Sequence, residues 1–468
     1  MATRMMSSAQ NTILHLGLGS FHRAHQAYYF QQLRDAGVSG WSLISGNIRP
    51  GMEDTIAALA SQGGAYTLET VAPSGARGYA RIGSIERVMP YEPGSAAIVA
   101  IGASSRTRAV SFTVTEAGYY IDADGKLDAR HPEIARDVEL STRGIAGETL
   151  YSVLVAILRA RMSTGAGKLT LLSCDNLRSN GHRSRSGLRQ FIEATGDRAL
   201  LRWMDDSTTS PSTMVDRITP RPTPAVRERV RIAFGIDDKA PVMAESFCQW
   251  VVEDDFCNGR PPFEGVGVEM ISDVTPYEEA KIRVLNTSHG AVAWGGALMG
   301  KLYIHDSVAV PAIRDIVNRY VTDDVIPCLT PSPVNLEVYR DTVLERFANS
   351  AIADTVQRVM ADSFSKIRTY IAPTVGERLA ANADIASVAR LPALFLLFLD
   401  AWHQSRLPAP YEDRPAELAR ARAICAADDP IAALCRDRSL WGTGAADPRL
   451  EDAVRQAYAE LRPLFAPA

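Results

Sequence analysis

Three polar side chains able to take part in alcohol oxidation, Lys281, Asn286 and His289, share one predicted helix. Pro276 stands near its start, followed by acidic residues in the first turn, where the helix dipole favours negative charge. At about 100° per residue, the three side chains fall within an arc of about 140°. A lysine whose pKa is lowered by burial could take a hydroxyl proton, while amide and imidazole groups hold the oxygen as hydride leaves carbon. The alternative from this segment alone is that Lys281 is a solvated surface charge.

A second pattern, a glycine-rich turn, indicates a dinucleotide-binding loop. Gly17 and Gly19 follow an apolar run, where the absence of a Cβ allows a tight turn and close approach to a pyrophosphate. His22 stands where the third glycine of the fingerprint is expected, and an ordinary turn is the competing interpretation. The acidic residue expected after the second strand is missing. Arg49 could accept a 2′-phosphate there or be a solvated loop charge, so local chemistry leaves NAD and NADP both open.

These residues are carried by a chain whose two halves differ in pattern. Up to about residue 275 strands and helices alternate, which predicts an α/β fold with a Rossmann-type parallel sheet and extra strands. From residue 276 to 468 helical periodicity dominates. We therefore expect a dinucleotide-binding domain over 1–275, a helical substrate-binding and catalytic domain over 276–468, and a cleft between them. The predicted strands are 13–19, 41–48, 109–115, 169–174, 247–252 and 265–270, and the predicted helices are 23–37, 147–162, 277–298, 308–320, 352–360, 391–403 and 450–461.

Composition narrows the classes of partner. The chain has 468 residues, with 50 Lys and Arg against 54 Asp and Glu, which is far from the basic surplus of a general nucleic-acid binder. No apolar run approaches the length of about 18 residues that spans a bilayer, and the polar N-terminus predicts a cytoplasmic protein. The six cysteines are scattered without the spacing of a zinc site, so we expect mostly buried thiols and no metal.

The motifs together resemble the polyol-specific long-chain dehydrogenases, the family of mannitol 2-dehydrogenase. The hallmark run of lysine, asparagine and histidine is met by Lys281, Asn286 and His289, and a Gly-x-Gly-x-Phe-His-Arg-Ala-His turn by residues 17–25. The resemblance covers nearly the whole chain, and it continues through residues 113–119, 173–177, 214–220 and 249–253. Residues 45–49, 267–270, 277–283 and 303–306 are nearer to the members that oxidise D-arabinitol than to those that oxidise D-mannitol.

The resemblance implies a role for each matching residue. Lys281 would be the general base, Asn176 and Asn286 would hold the reacting oxygen, and His289 would orient the polyol. Asp216 and Arg358 would bind the remaining hydroxyls, although Asp216 could instead form a salt bridge with Arg217 and Arg358 could be a solvated residue. Glu278 would line the route by which the proton leaves. The cofactor would be held by Gly17, Gly19, Phe21 and Arg23.

The reaction implied is the NAD-dependent oxidation of D-arabinitol to D-xylulose without a metal. D-mannitol oxidation to D-fructose is the alternative within enzymes, and a zinc mechanism is weaker because of the cysteine pattern. A cofactor- or sugar-binding regulator is the alternative outside enzymes. Gly51 and Met52 replace an acidic pair of the mannitol-type relatives, which leaves NADP possible. Relatives of this kind are often monomeric, and we expect a small-molecule substrate with neither nucleic acid nor membrane as partner.

Overall fold

The computed structural model describes residues 11–122 and 125–465. These residues form two compact units. The first contains the described chain up to Val71 together with Arg77–Val274, and the second contains Ala72–Ala76 and the chain from Thr275 onward.

A parallel sheet is the frame of the first unit. Its strands are β1 (Asn11–Leu16), β2 (Trp41–Gly46), β5 (Ile85–Met89), β6 (Thr107–Phe112), β7 (Leu169–Ser173) and β8 (Thr208–Thr209). These strands of the described chain pair in the order β5-β2-β1-β6-β7-β8, all parallel. The order reverses between β1 and β6, which is the doubly wound arrangement that binds dinucleotides at the carboxyl ends of its central strands. The predicted Rossmann-type sheet is thus confirmed.

Two small mixed sheets supply the extra strands, which are β3 (Tyr66–Val71), β4 (Arg77–Ile82), β9 (Thr213–Asp216), β10 (Val242–Glu245), β11 (Gln249–Glu253) and β12 (Glu269–Ile271). One sheet has the order β10-β3-β4 and the other β12-β11-β9. The predicted strand at 265–270 is partly wrong, because Phe263–Val266 forms a 3-10 turn and only Glu269–Ile271 pairs with its neighbour.

Helices cover both faces of the main sheet. Consecutive residues of β1 point to opposite sides, so Ile13 joins one buried cluster and Leu14 the other. The predicted helix at 23–37 is broken at His25, whose φ of -121° and ψ of -85° are not helical. The α-helices are Ser20–Ala24, Gln26–Asp35, Glu53–Ser61, Ala96–Gly102, Pro132–Thr142, Leu150–Thr164, Asn180–Thr195, Arg198–Ser207 and Pro224–Phe234.

The second unit is helical, as expected, and its core is built around Ala386–His403. That helix is apolar on nearly all sides, which is typical of a helix surrounded by others. Three of the longer helices contain a π-helical segment: Lys281–Asn286, Tyr320–Val325 and Ile367–Ile371. The α-helical bounds are Thr275–Ala280, Thr287–Leu298, Ile304–Val308, Pro311–Arg319, Ile326–Leu329, Leu336–Phe347, Val356–Met360, Ser363–Lys366, Ala372–Ala380, Ala386–His403, Pro415–Cys425, Pro430–Cys435, Arg438–Trp441 and Pro448–Leu461.

Candidate active site

The turn after β1 has a geometry that requires glycine at one position. Gly17 has a φ of +106°, and a Cβ built there would lie 2.1 Å from the carbonyl oxygen of Thr113. The Gly17 amide donates to the Gly46 carbonyl at 2.8 Å, so the turn is tied to the end of β2. A Cβ at Gly19 would meet no atom within 4 Å, and Gly19 precedes the helix Ser20–Ala24. The turn is therefore tight at Gly17 and open at Gly19, as a loop that approaches a pyrophosphate must be.

A cleft of about 640 Å³ opens beside this turn, at the carboxyl ends of β1, β2 and β6. This is the edge at which doubly wound sheets bind dinucleotides, and the donor set of backbone amides and small residues fits such a group. The residues that line it are Gly17, Asn47, Ile48, Arg49, Pro50, Met52, Thr113, Val114, Thr115, Ala117, Gly118, Tyr120, Ile121, Asp122, Asp128, His131, Glu133 and Leu150.

Two of the predicted cofactor residues support the turn from within the domain. The Arg23 side chain is buried and donates to the Ala240 carbonyl at 2.7 Å. Phe21 stacks on His25, with ring centroids 5.0 Å apart. Neither side chain lines the cleft. Their contacts stabilise the helix that follows the turn, and contact of either residue with the cofactor stays a prediction.

A pair of buried histidines lies under the same turn. His15 and His22 stack with ring centroids 3.5 Å apart. His15 Nδ1 bonds with Ser111 at 2.8 Å, and His22 Nε2 bonds with Ser45 at 2.9 Å. Burial lowers the pKa of His22 to about 3, and burial, with a smaller effect of the neighbouring His22 ring, holds the pKa of His15 well below its ordinary value. Both rings are therefore neutral packing elements at ordinary pH.

Asn176 and Asp216 belong to the first unit. Asn176 is exposed on the loop after β7, and Asp216 is buried at the end of β9. Asn180 links the two elements, since its side-chain amide donates to the Asp175 carbonyl and to the Thr213 carbonyl, each at 2.9 Å. Arg217 donates to the carbonyls of Glu245 and Ala24, and both interpretations of Asp216 stay predictions.

Asp175, which the sequence patterns did not single out, holds the loop that carries Asn176. Its carboxylate accepts the Val114 amide at 3.0 Å, the Thr115 amide at 2.8 Å and the Tyr119 hydroxyl at 2.7 Å. Burial raises the pKa of Asp175, although these three donors oppose that effect. The only sequence signal is its position between two residues of a matched motif, because nothing in residue type distinguishes a buried anchor from a ligand.

In the second unit the predicted catalytic helix is confirmed as a helix but differs in its winding. Lys281 is 6% exposed and begins a π-helical segment that ends at Asn286. In a π-helix the amide of residue i+5 bonds to the carbonyl of residue i, so residues five apart lie on successive turns. Lys281 and Asn286 therefore lie nearer to one face than the α-helical arc predicts. The alternative that Lys281 is a solvated charge is wrong.

The π-helical segments contact one another within the second unit. Lys281–Asn286 lies against both Tyr320–Val325 and Ile367–Ile371. Such segments are rare, well under about 1% of residues, and they occur frequently at functional sites. Their convergence beside Lys281 agrees with the prediction of a site in this part of the helical unit, which stays a prediction.

Arg283 anchors the same segment. Its side chain is 6% exposed and bonds with Glu279 at 2.8 Å and with both carboxylate oxygens of Glu377. The Thr287 hydroxyl donates to the Ile282 carbonyl at 3.0 Å. These contacts hold the helix on both sides of its widened turn. Glu278, the predicted proton-path residue, is 4% exposed and precedes Lys281 by three residues.

His289 and Arg358 meet at a third residue, Asp354, which the sequence patterns do not reveal. His289 Nε2 lies 3.2 Å from Asp354 Oδ2, and the ring stacks on Phe347 with centroids 4.6 Å apart. Arg358 Nε and Nη2 lie 2.6 and 2.5 Å from the two Asp354 oxygens, although 63% of the Arg358 side chain is exposed. Burial lowers the pKa of His289, against the opposing effect of Asp354. Asp354 thus connects the two predicted polyol-binding residues.

Lys366 is another lysine of the second unit, and its pKa is altered. Burial lowers its pKa to about 8. Its Nζ donates to the carbonyls of Val359 and Ala361, the latter at 2.6 Å. These bonds favour a structural role, but the lowered pKa makes Lys366 the rival to Lys281 that an experiment must test.

Small residues let the helix Thr287–Leu298 pack closely against its neighbours. A Cβ at Gly296 would lie 2.1 Å from Ser307 Oγ, and one at Gly295 would lie 2.8 Å from Ile313. Trp294 is fully buried and donates to Ser363 Oγ at 2.7 Å. These three residues therefore serve packing.

Comparison with known proteins identifies the family. A model of the mannitol dehydrogenase Rossmann domain matches residues 11–265, and a model of the mannitol dehydrogenase C-terminal domain matches residues 273–462. This chain belongs to the mannitol dehydrogenase family. It is therefore a polyol dehydrogenase, which replaces the regulator hypothesis.

Comparison with individual members of the mannitol dehydrogenase family supports the greater likeness to members that oxidise D-arabinitol. The chain is 53% identical to D-arabinitol 4-dehydrogenase of Ralstonia nicotianae over 98% of each chain. It is 47% identical to D-arabinitol 4-dehydrogenase of Klebsiella pneumoniae, over 92% of this chain and 94% of that one. A solved ternary complex of Pseudomonas fluorescens mannitol 2-dehydrogenase with NAD and D-mannitol has a TM-score of 0.84 at 33% identity, covering 98% of this chain and 93% of that one.

Metal ligands, membrane spans and cysteines complete the description of residues 11–122 and 125–465. Within these ranges no group of three or more His, Cys, Asp or Glu side chains is arranged to hold a metal ion. None of the helices in that part of the chain combines the length and apolar character needed to cross a bilayer. The expectation of mostly buried cysteines is wrong, because only Cys174 and Cys435 are buried and the other four are half-buried.

Proposed function

We propose that this polyol dehydrogenase oxidises D-arabinitol to D-xylulose, with Lys281 as general base and without a metal ion. The cofactor is NAD, which accepts a hydride from the carbinol carbon when bound. The observation that carries the proposal is the buried Lys281 at the start of a π-helical turn that also bears Asn286. The choice of D-arabinitol is supported by the names of the two relatives at 53% and 47% identity.

The proposed chemistry assigns each residue one task. Lys281 Nζ takes the hydroxyl proton as the carbon–oxygen bond gains double-bond character, and the amides of Asn176 and Asn286 stabilise the charge on that oxygen. Glu278, also buried, lines the route by which the proton leaves Lys281. In its neutral form the Lys281 amine carries the lone pair that accepts the proton.

Substrate recognition is assigned to the remaining polar residues. His289 is neutral at ordinary pH, and while its Nε2 faces Asp354 the other ring nitrogen can bond with a hydroxyl of the polyol. Arg358 and Asp216 add a donor and an acceptor for hydroxyls farther along the polyol. Gly17 and Gly19 would lie against the cofactor pyrophosphate.

A polyol panel tests the substrate assignment. Initial rates of NADH formation with D-arabinitol, D-mannitol and D-sorbitol should give the largest kcat/KM for D-arabinitol, with D-xylulose as the product. A larger kcat/KM for D-mannitol, with D-fructose formed, would favour the alternative. Preincubation with a chelator should leave the rate unchanged; a loss that zinc restores would overturn metal independence. The cytoplasmic location and the monomeric state stay predictions.

A further inference from the structure

In many Rossmann domains the loop after β2 carries the side chain that distinguishes NAD from NADP. An acidic side chain there binds the 2′-hydroxyl of the adenosine ribose, whereas an arginine accommodates a 2′-phosphate. The first residue of this loop, Asn47, is 7% exposed and accepts the Leu18 amide at 2.7 Å. Its side chain shapes the glycine turn. Arg49 is therefore the residue of the loop whose charge bears on a 2′-phosphate.

Arg49 is already engaged by a carboxylate on the wall of the cleft. Its Nη2 donates to Glu133 Oε2 and to the Tyr120 hydroxyl, and its Nε donates to the Glu148 carbonyl at 3.2 Å. The Tyr120 hydroxyl donates in turn to Glu133 Oε2. Arg49, Tyr120 and Glu133 all line the cleft. The guanidinium thus shares its charge with a fixed anion instead of presenting it alone.

The other charged side chains that line the cleft disfavour binding of a 2′-phosphate. Besides Arg49 and Glu133, the lining carries Asp122, Asp128 and His131. The lining thus carries three carboxylates against one guanidinium. A 2′-phosphate would add negative charge beside Glu133 and would compete with it for Arg49. A free 2′-hydroxyl adds no charge and can donate to a carboxylate.

We propose that Glu133 is a specificity-determining residue that disfavours a 2′-phosphorylated cofactor by holding and neutralising Arg49. Arg49 alone would be a phosphate ligand, and Glu133 turns it into part of a neutral wall. The residue that selects NAD therefore stands on the helix Pro132–Thr142 rather than in the loop after β2, where sequence reasoning looks for it.

The test measures binding of two cofactor fragments to the purified full chain, without turnover. Adenosine 2′,5′-bisphosphate carries the extra phosphate, and adenosine 5′-phosphate lacks it. Glu133→Gln should strengthen binding of the bisphosphate about tenfold and leave binding of the monophosphate within about twofold. The double variant Glu133→Gln with Arg49→Gln should lose this gain. Glu193→Gln, which removes an exposed carboxylate paired with Arg189, is the matched control and should change neither affinity.

Kinetics give a second readout, in which the kcat/KM ratio of NADP to NAD should rise by a similar factor in Glu133→Gln. Glu133→Asp keeps the negative charge and should retain most of the discrimination against the 2′-phosphate. This variant provides the test if Glu133→Gln fails to fold. An unchanged fragment preference in Glu133→Gln, or a gain that persists without Arg49, would overturn the proposal. Because the fragments report on cofactor binding alone, this outcome is independent of which polyol the enzyme oxidises.

Discussion

Replacing Gly17 with alanine perturbs the cofactor turn at its tightest point. The added Cβ would lie 2.1 Å from the Thr113 carbonyl oxygen, so the backbone that follows β6 would have to recede by more than about 1 Å to reach an ordinary contact. A φ of +106° adds a conformational cost for a residue with a side chain. Strained backbone costs about 1–3 kcal/mol and overpacking a similar amount, so we expect a loss of about 2–4 kcal/mol in the free energy of unfolding.

The same change should weaken the cofactor site, because Gly17 and Thr113 both line the cleft. We expect the Kd for NADH, measured by fluorescence titration, to rise at least about tenfold. Urea unfolding followed by tryptophan fluorescence measures the stability. Gly19→Ala is the matched variant: with nothing within 4 Å of its Cβ and a φ of -77°, its stability should change by less than about 0.5 kcal/mol. If Gly17→Ala has the wild-type free energy of unfolding and a Kd for NADH within twofold of the wild type, the reasoning from this turn is refuted.

Three other predictions follow from buried polar groups. Burial lowers the pKa of His22 from 6.5 to about 3, so between these pH values the unfolded state binds more protons than the folded state. The contribution of His22 to the free energy of unfolding should be fully present above pH 6.5 and should fall towards pH 3, by up to about 1.4 kcal/mol per pH unit. Urea midpoints of His22→Asn should therefore depend less on pH than those of the wild type. Asp354→Asn removes an effect that raises the pKa of His289, so the pKa of that ring in an NMR titration should fall. The KM for the polyol should rise about tenfold with little change in kcat. Asp315→Asn, which removes an exposed ion pair, is the control and should change neither the pKa of His289 nor KM. Arg161→Met should cost about 3–5 kcal/mol of stability without altering KM, since this buried guanidinium donates to six backbone carbonyls; a loss below about 1 kcal/mol would show that water replaces it.

The Rossmann-type half could be predicted because each of its central strands is marked by residues that are adjacent in the sequence. Each central strand is a short apolar run followed by a turn, so the segments at 13–19, 41–48, 109–115 and 169–174 all correspond to strands of the parallel sheet. The hairpin of β3 and β4 could not be predicted, since β4 is half-exposed and carries arginine, glycine and tyrosine in place of an alternating apolar pattern. Its pairing with β3 depends on tertiary contacts.

The site was predictable where chemistry is concentrated in one segment. Lys281, Asn286 and His289 stand on one helix, and their spacing is visible in the sequence. The π-helical winding is not, because no proline or glycine interrupts residues 281–286 and the widened turn accompanies contacts of Arg283 with the distant Glu377. Asp354 and Glu133 escape sequence reasoning for the same reason. Each acts on a partner that only the folded chain brings near, and a carboxylate in a surface helix or loop looks the same whether or not it has such a partner.

The central claim is that the Lys281 amine is the general base. Comparing kcat and its pH dependence in two variants, Lys281→Ala and Lys366→Met, tests this claim most directly. Lys281→Ala should lower kcat for D-arabinitol oxidation by at least about 100-fold near neutral pH, leave NADH binding within twofold, and recover part of the rate with added methylamine. Lys366→Met should retain the wild-type shape of the pH profile. Nearly full activity in Lys281→Ala, or a loss of rate and of the pH dependence in Lys366→Met alone, would contradict the account.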